Sequence, residues 1–154
     1  MLALTVSLPL ITAPANAALY KEPQKLDSSY IAIKNVQMTS ESQFNKALAF
    51  LLNGKTETSF SYNFSDGAKN IVSGYIRIDI ENDTYVIEGG LDKRSSLDSI
   101  QQAVFASVLT GKKAAVAIYD TDGVWGKFEH RIWVATKKLG IKFIWFDGHQ
   151  IKQK

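Results

Sequence analysis

The chain has no cysteine in 154 residues, which excludes disulfides, a thiol nucleophile and Cys-based zinc sites. Histidine is scarce: His130 and His149 are the only two. Neither has a carboxylate or a second histidine at ligand spacing, so neither a metal nor a cofactor is expected. Proline is scarce too, with Pro9 and Pro14 near the start and Pro23 the last of three; beyond it no ring interrupts a helix or strand. No charge of one sign dominates. Lys and Arg number 18 against 15 Asp and Glu, a net +3 without any block of like charge, so no nucleic-acid footprint is expected. No apolar run approaches the ~20 residues of a membrane-spanning helix. What is present is ordinary for a globular chain, 45% hydrophobic and 21% charged, and points to one domain with one core.

Residues 1–17 carry no charged side chain and end in Ala15-Asn16-Ala17, the small-x-small pattern cut by signal peptidase. This segment reads as a secretory signal peptide, and it places the mature chain in the periplasm or outside the cell. The polar, aperiodic stretch 18–28 reads as a flexible arm, and 29–154 as the folded domain.

Periodicity supplies the elements. Tyr30 to Val36 reads as a strand. Ser40-Glu41-Ser42-Gln43 has capping-box form and opens a helix whose Phe44, Ala47, Leu48, Leu51 and Leu52 make an apolar stripe ended by Gly54. Thr58 to Phe64 alternates as a strand, Ser65-Asp66-Gly67 turns the chain, and Ser73 to Ile80 pairs with Tyr85 to Gly90 as a hairpin. Ser96 caps a second helix with Leu97, Ile100, Val104 and Val108 facing inward, ended by Gly111. Ala114 to Tyr119 reads as a buried strand, Thr121-Asp122-Gly123 as a turn, and Phe128 to Ala135 and Ile141 to Phe146 as returning strands. The expected core is Leu48, Leu51, Ile76, Ile78, Ile80, Val86, Ile100, Val104, Val116, Ile118, Phe143 and Ile144.

Two segments, 29–82 and 84–138, then read as strand-helix-strand-strand pseudo-repeats, aligned through Gly54-Lys55 with Gly111-Lys112 and Asp66-Gly67 with Asp122-Gly123. The expected fold is α+β, with two helices on a curved, antiparallel, OB-like sheet.

Catalytic patterns are sparse. There is no Gly-x-Ser-x-Gly elbow, and Asp120-Thr121-Asp122-Gly123 begins like a calcium loop but lacks its closing glutamate, so it reads as a turn. Carboxylate chemistry rests on Asp79 with Glu81 and on Asp120 with Asp122. Trp125, Trp133, Phe143, Trp145 and Phe146 crowd the last third, aromatic faces suited to stacking on sugar rings or to a subunit interface; most read as core, with Trp125, next to the Asp122-Gly123 turn, the one expected to be exposed.

Ser73-Gly74, Tyr85-Val86-Ile87-Glu88-Gly89, Ala103, Thr110-Gly111-Lys112, Ile118-Tyr119 and Gly123-Val124-Trp125 together resemble the receptor-binding B subunits of five-subunit bacterial toxins, in the subtilase-cytotoxin and pertussis-like branch. The resemblance implies an OB fold, a homo-oligomer and recognition of glycans. Ser73 matches a serine that holds the sugar's acidic group. Asp120 stands where the family has a pocket-wall tyrosine, and the family's disulfide is missing; the carboxylate favours a neutral sugar over a sialylated one.

The expected function is therefore a non-enzymatic binding module for a glycan or other cell-surface ligand, with Ser73, Tyr119, Asp120 and Trp125 as its site. The alternatives are an accessory or inhibitor protein that docks an envelope protein, and a carboxylate-based hydrolase.

Overall fold

The computed structural model describes Met38 and residues 40–147. The segments read as signal peptide, arm and first strand lie outside the described residues. Helix α1 (Glu41–Leu51) leads into the antiparallel strands β1 (Lys55–Ser65), β2 (Ile71–Glu81) and β3 (Tyr85–Leu91). A 3-10 turn (Arg94–Asp98), helix α2 (Ser99–Thr110), strand β4 (Lys113–Asp120), helix α3 (Lys127–Leu139) and strand β5 (Lys142–Asp147) follow.

Local chemistry sets the boundaries. The Ser40 hydroxyl accepts the Gln43 N–H while Gln43 Oε1 accepts the Ser40 N–H at 3.2 Å, the reciprocal cap expected of this sequence. At the first hairpin, Asp66 Oδ1 accepts N–H groups from Ala68 and Asn70 at 2.9 and 2.8 Å, which closes the turn between β1 and β2. The α2 helix stops at Gly111, whose φ of 71° is a left-handed C-cap that a side chain would strain.

The fold is α+β with a curved, unclosed sheet in the order β1-β2-β3-β4-β5. Two features differ from expectation. The sheet is mixed, since β3, β4 and β5 run parallel, and a third helix occupies Lys127–Leu139, where a strand from Phe128 to Ala135 was expected. Phe128, Ile132 and Thr136 recur every four residues, a helical spacing, and Gly126 and Gly140 bracket them; Glu129 Oε2 accepts the Gly126 N–H at 2.9 Å at the start. The helix is what allows β5 to return parallel to β4, because parallel neighbours need a crossover. The second pseudo-repeat thus reads strand, helix, strand, helix, and Asp122-Gly123 leads into α3 where Asp66-Gly67 leads into an antiparallel partner.

The core lies on both faces of the sheet. Phe44 and Leu48 of α1 pack on Ile80, Ile87, Ala117, Tyr119, Ile144 and Phe146. On the opposite face, Ala103 of α2 and Ile132 of α3 cover Val116 and Ile118, while Ala106 covers Ile78 and Val86. Val104 departs from the expected core and is 40% exposed. The small residues Ser99, Ala103 and Ala106 are the buried ones on α2, for the start of the helix lies close against Gly90, where a Cβ would come within 3.2 Å of Ser99 Oγ and 2.8 Å of the Ser96 side chain on the 3-10 turn. Among the described residues no helix is long and apolar enough to cross a membrane.

Candidate functional site

Strands β2 and β3 part soon after their turn. Their pairing comprises Ile80 with Ile87 and Glu81 with Val86, although both strands continue well beyond. Ladder groups in the gap turn to side chains instead. Asp79 Oδ2 accepts the Gly89 N–H at 2.9 Å, and the Glu41 carboxylate, from the first turn of α1, accepts the Leu91 N–H. The Glu88 carboxyl accepts the Asp79 N–H and is hydrogen-bonded to the Asp79 side chain. Three carboxyl groups from α1, β2 and β3 therefore occupy the fork.

Holding acids this close in a shielded gap disfavours their ionisation. Burial, then the charge of Asp79, pushes the Glu88 carboxyl up to about 8. Burial also raises Asp79, against the Gly89 N–H that favours its anion, and burial with the Asp79 charge raises Glu41. Beneath them the Tyr119 hydroxyl donates to Asn45 Oδ1, and burial holds its ionisation well above the usual tyrosine range. Glu57 stands across β1 with a φ of 61°, a left-handed conformation uncommon for a residue with a Cβ. Arg77 pairs with Glu57 at 2.8 Å and is the cation that offsets Asp79 and Glu41. On the α2 side the fork opens into a cavity of about 210 Å³ lined by Ile76, Arg77, Glu88, Gln102 and Phe105. The anionic groups here are carboxyl oxygens, a ligand type that suits hard cations.

A second acidic group lies at the ends of β3 and β4, where oxygens of Asp92, Asp120 and Asp122 all come within 4.8 Å of one another. These oxygens build the turn into α3. Asp120 Oδ1 accepts N–H groups from Asp122 and Gly123 at 3.1 and 2.6 Å, and its Oδ2 accepts Trp145 Nε1–H at 3.1 Å. Asp92 takes the Thr121 hydroxyl at 2.9 Å, and Asp122 takes the Val124 N–H at 2.8 Å.

The four expected site residues fall in three places. Ser73 donates to Asn63 Oδ1 at 2.8 Å on the exposed β1-β2 hairpin. Tyr119 is fully buried, stacked on Phe44 with ring centroids 4.9 Å apart. Asp120 is also fully buried, and the half-buried Trp125 meets it through Trp145, whose ring is 5.0 Å from that of Trp125. Asp120 and Trp125 thus share one neighbourhood, while Ser73 lies on β2, which β3 separates from β4. The paired acids also separate: Glu81 binds Lys112 at 2.6 Å and leaves Asp79 to Glu88.

The comparisons with family models, curated proteins and solved structures find no match. The fork is accordingly read on its own geometry. Glu88, Glu41 and Gln102 are absent from the expected site, yet one of them carries a signal. Glu88 is the sole charge in Tyr85-Val86-Ile87-Glu88-Gly89-Gly90-Leu91, and a lone carboxyl in an otherwise apolar strand needs a partner. Glu41 is hidden in the sequence because an acid in the first turn of a helix is commonplace.

Proposed function

We propose that the fork is the active site of a cation-dependent hydrolase, in which Asp79 and Glu88, whose side chains are hydrogen-bonded to each other, would hold a hard divalent cation and the substrate is a phosphoester. The observation that carries this reading is the hydrogen-bonded Asp79–Glu88 carboxyl pair in the gap between β2 and β3, with Glu88 lining a cavity that Gln102 and Arg77 also line. A divalent cation would offset the burial and mutual repulsion that raise these acids, and oxygen-only ligation is what magnesium and manganese take. Such a cation would supply polarisation of a phosphoryl oxygen and activation of a water; in the hydrolysis one phosphorus–oxygen bond would form as the bond to the leaving alcohol breaks, and that alcohol would take up the proton given up by the water. Arg77 and Gln102, which line the cavity, would serve to orient the phosphoryl oxygens. The Ala15-Asn16-Ala17 ending would place this activity in the periplasm or outside the cell.

The test is thermal unfolding with and without manganese, alongside release of nitrophenol from bis-p-nitrophenyl phosphate. Manganese should raise the melting temperature of the parent protein but not of Asp79→Asn or Glu88→Gln, and both variants should lose hydrolysis by a hundredfold or more, roughly the loss of one key electrostatic group. A manganese shift that survives in both variants removes the fork from consideration.

One observation favours a second reading, glycan recognition. Tyr75 is 78% exposed and lies opposite Ser61, next to the Ser73–Asn63 pair on the same face of the hairpin. An exposed ring flanked by hydroxyl and amide groups suits the apolar face and the hydroxyls of a neutral sugar. A glycan array with Tyr75→Ala as the control addresses it; a hit unaffected by that variant would place the sugar elsewhere.

A further inference from the structure

A larger cleft, about 890 Å³, lies on the opposite shoulder of α2 from the fork cavity, where α2 and α3 end and β4 and β5 begin. Its charge is of one sign. Lys112, Lys113, Lys137 and Lys142 line it, with no aspartate or glutamate among its lining residues. Lys112 is held by Glu81 and by the Asn82 carbonyl, both at 2.6 Å, whereas Lys113 and Lys142 are exposed at the starts of neighbouring parallel strands. Between the lysines the wall is apolar, formed by Val104, Leu139 and Ile141. The apolar surface extends past the cleft: α2 has no charged residue along its whole length, and Val108, one turn beyond Val104, is 74% exposed.

Lysines alone would suit any polyanion, and an apolar wall alone would suit any greasy partner. The two side by side match a ligand that carries an anionic head on a hydrocarbon body. We infer that this cleft docks on an anionic phospholipid surface, with Lys113 and Lys142 on the phosphate headgroups and Val104, Val108 and Leu139 at the acyl boundary. Both components follow from general interfacial physics: basic side chains near an anionic leaflet each contribute about a fivefold gain in partitioning, and apolar side chains inserted below the headgroups supply the rest. A nucleic acid would use the lysines and gain nothing from Val108.

The test is co-sedimentation of the full chain with vesicles of phosphatidylcholine alone or containing about 30% phosphatidylglycerol, a typical anionic fraction. Binding is expected with the mixed vesicles and not with phosphatidylcholine alone. Lys113→Gln with Lys142→Gln should weaken it by roughly tenfold or more, and Val108→Asp should weaken it while leaving the melting temperature unchanged, because that side chain is largely solvated in the folded protein. The surface variant keeps the inference testable even if the lysine pair destabilises the fold. Equal binding to both vesicle types, full binding by Val108→Asp, or binding of a single-stranded oligonucleotide in place of vesicles would each overturn it.

Discussion

Gly89 is the narrowest point of the fork. A Cβ at this position would come within 2.7 Å of the Tyr119 ring and hydroxyl and would press on Asn45, all of them buried and packed under α1. Gly89→Ala should therefore cost about 1–3 kcal/mol by overpacking, read as a lower urea midpoint. Its neighbour Glu88 should make stability depend on pH in protein freed of divalent ions. With its carboxyl raised from 4.5 to about 8, the folded chain holds a proton that the unfolded chain has released. Stability is then greatest below the ordinary glutamate range and falls as pH rises towards 8, by at most about 1.4 kcal/mol per pH unit. Melting temperatures measured in EDTA at pH 5 and pH 8 should show the fall, and Glu88→Gln should flatten it; a parent protein equally stable at both would contradict the buried, protonated carboxyl.

At the scale of elements, α2 and α3 show how pattern can mislead. Of the stripe Leu97, Ile100, Val104 and Val108, Leu97 on the 3-10 turn and Ile100 pack against the Val116–Ile118 cluster, but Val104 and Val108 turn outward and Ala103 and Ala106 take the sheet in their place. Hydrophobic periodicity ranks side chains by size and greasiness, whereas a helix seated against Gly90 selects for what fits. Ala106→Leu should accordingly destabilise by about 1–3 kcal/mol through crowding against Ile78 and Val86, while Val108→Lys should stay within about 0.5 kcal/mol of the parent; the reverse order in a denaturant titration would restore the pattern-based face. In α3 the alternation Phe128, His130, Ile132, Val134 mimics a strand while Glu129, Ile132, Trp133 and Thr136, the buried residues, fall at helical spacing, and short ambiguous runs of this kind are decided by what they must connect. The clear signals were those with a local mechanism: the reciprocal Ser40–Gln43 cap, the Asp66 turn and Gly111 each appear where the sequence places them.

Over the whole molecule, the α+β class was legible because helical and alternating segments are distinct in composition. The direction of β5 was not, since it depends on the connection Lys127–Leu139, whose alternation fits a strand as well. The fork was only half legible. Asp79 stands out as an acid among isoleucines, but its partner was sought two residues away along the same strand, and the parting of β2 from β3 that turns it to Glu88 is a property of three elements together. The mixed topology also has a consequence in time. The β1-β2 hairpin closes across a short turn and can form within microseconds, whereas β4 finds its neighbours only after a crossover on either side, pairing with Tyr85 through Leu91 before it and Lys142 through Asp147 after it. Until both arrive, the apolar run Ala115 to Tyr119, which ends up buried, has unpaired backbone along both edges. Non-local pairing of this sort is slow to form, and a chain caught in that interval presents a ready template for association with its own copies. The strand that is best protected in the finished protein is thus the one at greatest risk while it is being made.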